Sequence, residues 1–438
     1  GAMDEISPDQ EALAVFTDKG TRPGRCVSVA TGNSGKPQGH LYYTFTSDTD
    51  TIRSVIGETT DMKNLHCVEI WGKDEAPFSV RLVARDRNYD IIGESTYYTT
   101  ESFSYDDCNI LFEETGDTLV CRVWYGFDSA HNKSYFSTTH SILSSESGNV
   151  VDALLEIEIV GKENATIDMM HYYNTVWFDI LGADEWAKKG VELPETVAKT
   201  YREGDRQQLA NSMSMSPYVI SVGCGITAMD YKKKEAPEED VTPPAIFGPL
   251  GLQVGDPTVW SNYSTWYSDH TVPHLIAPGG VILAAINSHS SVLKDELYEN
   301  DEYYGEIMPY GLNMGTSMAA PYVAGVAALV YACNPNAYAT QVKNLIMSTA
   351  KLLPDLEGKL VIPGIPLSVN PAQYGAGFLD VLATMKAANA GSSAIENVKD
   401  AEDDAHAQTQ ASQTYNLFGQ PSKGEGFVVR DGRVVLKK

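Results

Sequence analysis

The sequence predicts an α/β domain interrupted by an antiparallel β-sandwich. Between about residues 40 and 171, short β-type runs follow one another with polar turns between them. On either side of that stretch, buried-type apolar strands with Gly-rich ends alternate with helical segments, the pattern of a parallel sheet covered by helices. The 24 tyrosines and 36 glycines suit a chain rich in strands and turns.

The first element, over 4–20, reads as a helix with Ala12, Leu13, Val15 and Phe16 gathered on one side. Arg25-Cys-Val-Ser-Val-Ala-Thr-Gly-Asn-Ser-Gly35 follows, a short apolar strand running into a turn of Gly, Asn and Ser. The sandwich runs are 41–46, 67–71, 78–84, 109–112, 119–125, 135–142, 153–160 and 165–171, separated by charged or Gly/Asp/Asn-containing turns. Such spacing implies a sandwich or jelly roll. Residues 183–210 are polar and read as an irregular return to the first domain.

From Tyr218 the α/β character resumes. Residues 219–223 form a buried-type strand, and 274–283 a strand broken by a Pro-Gly turn. Residues 316–332 read as a helix apolar nearly all round, which predicts burial. Thr340 is the expected N-cap of a helix reaching Ala350, and Asp380 that of a third ending near Ala390. The polar run after Gly391 reads as a linker, and 426–429 with 433–436 as a hairpin turning at Asp431-Gly432.

Composition narrows the function. A net charge of −26 disfavours phosphate backbones and anionic lipid surfaces, so nucleic acid is not an expected partner. No apolar run reads as a membrane span, and no signal peptide is apparent. The six cysteines are scattered without a CxxC pair, which argues against zinc. Cys26, Cys224 and Cys333 read as buried thiols. Cys108 and Cys121 flank a hairpin turning near 114–117, and read either as thiols or as a disulfide across it.

The strongest chemical signal is Gly315-Thr-Ser-Met-Ala-Ala-Pro-Tyr-Val-Ala-Gly325. Serine is a weak nucleophile that needs exposure and a base. Ser317 in the first turn of a buried helix stands near unpaired backbone N–H groups and the positive helix end, which favour an acyl-transfer oxyanion. Gly315 permits close approach of a substrate. Ala319, Ala320 and Gly325 permit tight helix packing, and Pro321 lies early in the helix.

This segment resembles the serine-site motif of the subtilisin-like (subtilase) serine proteases. Further landmarks follow in the family's order. Val27-Ser-Val-Ala-Thr-Gly-Asn-Ser-Gly35 resembles the segment that supplies the oxyanion-hole asparagine, here Asn33. Losing such a donor costs roughly 3–4 kcal/mol of transition-state stabilisation, a magnitude set by subtilisin itself. The resemblance makes Val29, Ala30, Thr31 and Gly32 the strand lining the pocket for the residue before the scissile bond. Val219-Ile-Ser-Val-Gly223, Ala277-Pro-Gly279 and Tyr374-Gly-Ala-Gly-Phe-Leu-Asp380 are collinear scaffold matches.

The resemblance covers about 1–40 and 211–391 and implies a three-layer parallel-sheet catalytic domain in two segments. An inserted sandwich then occupies 41–210, a polar linker 392–414 and a hairpin-like tail 415–438. Inserted β domains occur in several subtilases, including clostridial spore-germination proteases with a jelly roll. The tail, Tyr415-Asn-Leu-Phe-Gly-Gln, Lys423-Gly-Glu-Gly-Phe-Val-Val and Gly432-Arg-Val-Val-Leu-Lys-Lys438, resembles short C-terminal modules of secreted Bacteroidetes proteins. Together these imply a secreted or envelope location.

A triad of this class runs Asp, His, Ser along the chain. No histidine and no Asp-Thr-Gly or Asp-Ser-Gly precedes Asn33, and all nine histidines lie later, none in a His-Gly-Thr-type helix start. The chain therefore reads as starting in the middle of a catalytic domain whose missing N-terminal segment carries Asp and His. Alone it is expected to be inactive. The competing reading is a scaffold without catalysis that binds protein or glycan through the sandwich, using Trp71, Trp124, Tyr125 and Trp177. The expected partner of the enzyme is a peptide or protein substrate. Many subtilases bind calcium, but no dense acidic loop matches such a site, and no cofactor is expected.

Overall fold

The computed structural model describes residues 8–34, 39–58, 66–73, 75–86, 90–111, 118–129, 132–143, 154–172, 176–179, 195–227, 231–232, 240–241, 252–264, 271–280, 282–285, 297–299, 309–351, 371–399, 415–416, 426–430 and 433–437. They divide into two compact units, one of residues 2–32 with 210–438 and one of residues 33–209.

Helix α1, Pro8–Thr17, opens the first unit. Its apolar side is not its buried side. Val15 and Phe16 are 72% and 45% exposed, whereas Gln10 and Thr17 are buried. Both buried side chains bond to backbone, Gln10 across to residue 212 and Thr17 within its own helix. Gln10 Nε2 donates to the Ser212 carbonyl at 2.7 Å, and Thr17 Oγ1 to the Leu13 carbonyl at 2.8 Å. Phe16 is partly covered by the Arg25 guanidinium, 4.9 Å from its ring centre. Strand β1, Ser28–Ala30, follows.

Among its described residues the second unit is all strands but for one short helix. Its strands are β2 (His40–Thr44), β3 (Thr51–Glu58), β4 (His66–Gly72), β5 (Ser79–Arg85), β6 (Ile91–Glu94), β7 (Tyr98–Thr99), β8 (Ser104–Leu111), β9 (Thr118–Asp128), β10 (Lys133–Leu143), β11 (Leu154–Val160), β12 (Thr166–Tyr172) and β13 (Val176–Asp179), then helix α2 (Glu195–Ala198). They build two antiparallel sheets. One has the order β2-β12-β4-β10-β9-β8, the other β13-β3-β11-β5-β6 with β7 on β5. Alternation along the strands fixes the register. The cross-strand row Tyr125, Phe136, Ile70, Met169, Leu41 turns inward and joins Ile52, Val80, Leu82 and Ile157 of the other sheet in one buried cluster. Strands β3, β6, β7 and β13 are not among the runs read from the sequence. β3 carries charged and polar residues at Arg53 and Ser54 that mask its Ile52 and Ile56, while β6, β7 and β13 have four residues or fewer.

Strand β11 buries charge on its other face. Glu156 and Glu158 are 0% and 1% exposed. Burial on that scale requires ionic and hydrogen-bonded partners. Arg85 holds Glu156 with two bonds of 2.9 and 3.2 Å, and Tyr201 donates to Glu156 at 2.5 Å. Arg53 and Arg81 reach Glu158 at 2.5 and 3.0 Å. Where the chain enters and leaves this unit, His40 and Asp205 exchange backbone hydrogen bonds. The His40 ring also lies between Asp205, 2.7 Å from Nδ1, and Asp168, 2.9 Å from Nε2.

The first unit resumes with a 3₁₀ turn, Ser212–Met215, capped by Asn211 Oδ1 accepting from Ser214 N. Strand β14, Ile220–Gly225, is buried at every residue. A two-stranded ribbon of β15 (Tyr231–Lys232) and β16 (Asp240–Val241) follows, then strand β17, Leu275–Pro278. β14 is the middle of a parallel sheet of order β1-β14-β17, and its burial on both faces suits that position. Strands β18 (Ile282–Ala285), β19 (Leu297–Glu299) and β20 (Pro309–Asn313) form an antiparallel ribbon leading into helix α3, Thr316–Cys333.

Helix α3 buries one side. Ala319, Ala320, Val323, Val326, Ala327 and Val330 pack with Ile220, Val222, Leu275 and Ala277 of the sheet, while Tyr322, Ala324 and Gly325 face outward. Small residues on the outer side hid this one-sidedness in the sequence. The helix is long and apolar enough to cross a membrane by length and composition, but this packing gives it the role of a core helix.

Helix α4 is Ala339–Thr349 and starts before Thr340. Its cap is Tyr338, whose N–H donates to Gln341 Oε1 at 2.8 Å. Thr340 Oγ1 instead donates to the Gly20 carbonyl at 3.2 Å. Helix α5 is Val381–Lys399, with Asp380 Oδ1 accepting from Ala383 N at 2.8 Å as its N-cap. It passes Gly391 into the stretch read as a linker, because a single glycine inside a helix is a tolerable cost. Residues 400–414 lie outside the described residues. The tail is a three-stranded antiparallel sheet of β21 (Tyr415–Asn416), β22 (Gly426–Arg430) and β23 (Arg433–Lys437).

Candidate active site

The parallel-sheet unit brings the C-terminal end of β1 against the N-terminal end of α3. Ser28 Oγ donates to the Ala320 carbonyl at 2.9 Å. At the strand's end, the Gly32 N–H donates to Thr316 Oγ1 at 3.1 Å. The next residue along one chain segment is Asn33 and along the other is Ser317. Ser317 is the second residue of the helix and exposed, and its hydroxyl has no hydrogen-bond partner among the described residues. The first turn of a helix carries unpaired N–H groups and a positive partial charge. Pro321, the sixth helical residue, offers no N–H to the Ser317 carbonyl. Asn33 is exposed.

The four residues before Asn33 divide into two pairs. Val29 and Ala30 lie in β1, half-buried, beside Ser221 and Val222 of β14. Thr31 is fully buried. Its N–H donates to the Val222 carbonyl at 3.1 Å and its hydroxyl reaches the same oxygen at 3.4 Å. Its side chain therefore faces the sheet and not a substrate. Gly32 has φ +110°, and a Cβ there would lie 2.5 Å from Asn262 Nδ2. The position requires glycine for both reasons.

Three residues hold this arrangement, two of which sequence reading missed. Asn262, buried, donates its N–H to the Gly32 carbonyl at 3.0 Å, so the Gly32 peptide is held from both sides. Asn211 donates from Nδ2 to the Ala30 carbonyl at 2.5 Å and from N to the Thr31 carbonyl at 3.1 Å. Gly279 accepts from Gly315 N at 2.9 Å, and a Cβ on it would meet the Gly315 carbonyl at 2.7 Å and Cys224 Sγ at 2.8 Å. Gly279 stood in a recognised motif; nothing local to the sequence marks Asn211 or Asn262. Gly325, read as a close-packing glycine, faces open space.

The two histidines whose side chains are described, His274 and His40, are committed elsewhere. His274 is 3% exposed, and its Nδ1 accepts from Ser221 N at 2.8 Å. A backbone N–H only donates, so that nitrogen carries no proton and the ring is neutral. His40 belongs to the other unit and bonds two aspartates. His131, His270, His289 and His406 lie outside the described residues. Among the described residues no group of three His, Cys, Asp or Glu side chains is placed to hold a metal ion. All six cysteines are free. Burial pushes the Cys26 thiol up to about 11 and Cys224 up to about 12, which leaves both protonated and inert at neutral pH.

The aromatic residues considered for a binding platform do not share one surface. Trp71 is 9% exposed and lies against Tyr135. Trp124 lies on the same outer face. Tyr125 points the other way, into the core, against Tyr98. The side chain of Trp177 is outside the description.

Comparison with known proteins places these features in a family. The chain matches the Subtilase family over residues 3–377. It is 36% identical over 111 residues to the subtilisin-like protease PopC of Myxococcus xanthus, covering 25% of this chain and 21% of that protein. It is 32% identical over 126 residues to the subtilisin-like protease SBT2.3 of Arabidopsis thaliana, covering 27% and 14%. It is 35% identical over 88 residues to the minor extracellular protease Vpr of Bacillus subtilis, covering 20% and 9%. The matched stretches thus span about a fifth or less of these relatives' lengths. Among solved structures, the CspB protease of Clostridium perfringens has a similar fold, with a TM-score of 0.54 at 16% identity, covering 89% of this chain and 64% of that one.

Proposed function

The chain belongs to the subtilase family, and from that premise we propose that it supplies the nucleophile and oxyanion donor of a serine endopeptidase. Ser317 Oγ attacks the carbonyl carbon of a peptide bond, and its proton passes to a histidine base. The Asn33 amide and the N–H groups at the start of α3 stabilise the oxyanion of the tetrahedral adduct. Collapse of the adduct expels the amine, which takes the proton from the histidine, and water then hydrolyses the acyl-enzyme. Val29, Ala30 and Gly32 border the pocket for the residue before the scissile bond.

The observation that carries this reading is the Gly32 N–H to Thr316 Oγ1 bond, which ties the residue before Asn33 to the residue before Ser317. In this reading the Asp and His come from a segment ahead of Asn33 in family order that these 438 residues do not contain. His274 is neutral and bonded within the sheet, and does not serve as the base. Residues 41–210 form a module inserted in the catalytic domain. The Vpr relative supports a secreted or envelope location.

Labelling with a fluorophosphonate tests the proposal, on this chain and on a form extended upstream, each beside its Ser317→Ala variant. The extended form alone should label, and the alanine variant should lose labelling by about 10⁴–10⁶-fold, on the scale set by subtilisin itself. Labelling that persists in Ser317→Ala, or is absent from every extended form, rejects the assignment.

A further inference from the structure

Strand β8 is an edge strand: it pairs with β9 and ends its sheet. It also carries exposed Tyr105, at 67%, with Phe103 just before it at 70%. A strand held by a neighbour on one side only is among the first to fray. Cys108 of β8 stands directly opposite Cys121 of β9 in the antiparallel register. Opposed residues of such a pair point to the same face, and both thiols lie in the buried cluster between the two sheets, at 8% and 0% exposure. Opposed Cα atoms in an antiparallel pair are about 4.5 or 5.5 Å apart, and a disulfide spans about 4.4–6.8 Å. The Cα spacing of an opposed position therefore fits a disulfide, while the Cβ atoms, about 4.5–5.5 Å apart, draw together by on the order of 1 Å as the bond forms.

We propose that Cys108 and Cys121 are a dithiol site that closes, under oxidising conditions, into a cross-strand disulfide pinning the edge strand β8 to β9. The oxidant is a small-molecule or protein disulfide. With oxidised glutathione, the Cys108 thiolate attacks one sulfur and releases one reduced glutathione. The Cys121 thiolate then attacks Cys108 Sγ of the mixed disulfide and releases the second. The protein loses two protons and two electrons, and the glutathione disulfide gains them.

Burial, the main cause for each, pushes both thiols above the ordinary cysteine range. The closed strand pair is therefore slow to react, and exchange proceeds when β8 frays from the edge. The reaction speeds up with pH as more thiolate forms. The other four cysteines stand elsewhere: Cys67 beside Ser137, Cys333 beside Asn389, Cys224 behind Gly279 and Cys26 near Lys343. None is opposed to another across a strand pair.

The test is peptide mapping of the whole chain after two treatments with a glutathione redox buffer, one of the native protein at pH 8 and one during refolding from urea. The expected product is a peptide pair linked Cys108 to Cys121, lighter by two hydrogens than the reduced pair. The midpoint of thermal unfolding of residues 33–209 should rise by about 5 °C, and the rise should vanish with dithiothreitol and in Cys108→Ser. A stable glutathione adduct on Cys108 without ring closure would overturn the proposal. So would two thiols still fully alkylated after refolding in the oxidising buffer.

Discussion

At the scale of single residues, the candidate site depends on how Gly32 is held. Thr316 accepts its N–H, the Asn262 N–H meets its carbonyl, and the Asn262 side chain fills the space a Cβ needs. Gly32→Ala should destabilise the chain by on the order of 2–4 kcal/mol, through positive φ and overlap together, read as a fall in the urea midpoint. An unchanged midpoint would mean that Asn262 gives way without cost. His40 makes a prediction about pH. Burial alone would lower its pKa, but hydrogen bonds and charge from Asp168 and Asp205 outweigh it and raise it to about 9. The folded value lies above the unfolded value of about 6.5, so the stabilisation is complete below about pH 6.5 and is lost as pH rises through 9. Thermal midpoints should fall between about pH 7 and 9.5 in the native chain, and His40→Asn should flatten that slope. An unchanged slope would place its origin elsewhere. The motif at Ser317 was legible because a nucleophile, a helix start and small packing residues occur in one short segment. Asn211 and Asn262 were not, because each acts on a strand distant in sequence.

At the scale of elements, helix ends and outer faces separate what local sequence decides from what packing decides. Asp380 was legible as a cap because N-capping needs only the residue and the three that follow. Asp380→Ala should cost about 1 kcal/mol, visible in a denaturant melt. Gly325 sits inside α3, faces outward and has open space where a Cβ would stand. Gly325→Ala should stabilise by about 0.5–1 kcal/mol through helix propensity and a less flexible unfolded chain. A loss of stability there would show that the glycine serves something other than helix formation. Helix α1 shows the opposite case. Its apolar residues suggested a buried side, yet the helix buries Gln10, which reaches a backbone carbonyl of the 3₁₀ turn, and Thr17, which bonds back to Leu13.

At the scale of the whole molecule, the two large buried clusters among the described residues lie one between the two antiparallel sheets and the other between the parallel sheet and helices α3, α4 and α5. Each is large enough to melt by its own cooperative transition. Scanning calorimetry should resolve more than one transition, with a van't Hoff enthalpy below the calorimetric one. A single two-state peak would show that the two unfold together. The sequence by itself determined the helix that presents Ser317, the Gly-Asn turn after β1 and most of the strand runs. It could do so because capping, turn chemistry and two-residue alternation act over a few neighbouring residues. Only the tertiary structure decided that Thr316 meets Gly32, that Asn262 and Asn211 hold the strand end, and that Cys108 stands opposite Cys121. These depend on which strands pair and in what register. That choice is made by burial summed over whole sheets, and no short stretch of the chain encodes it.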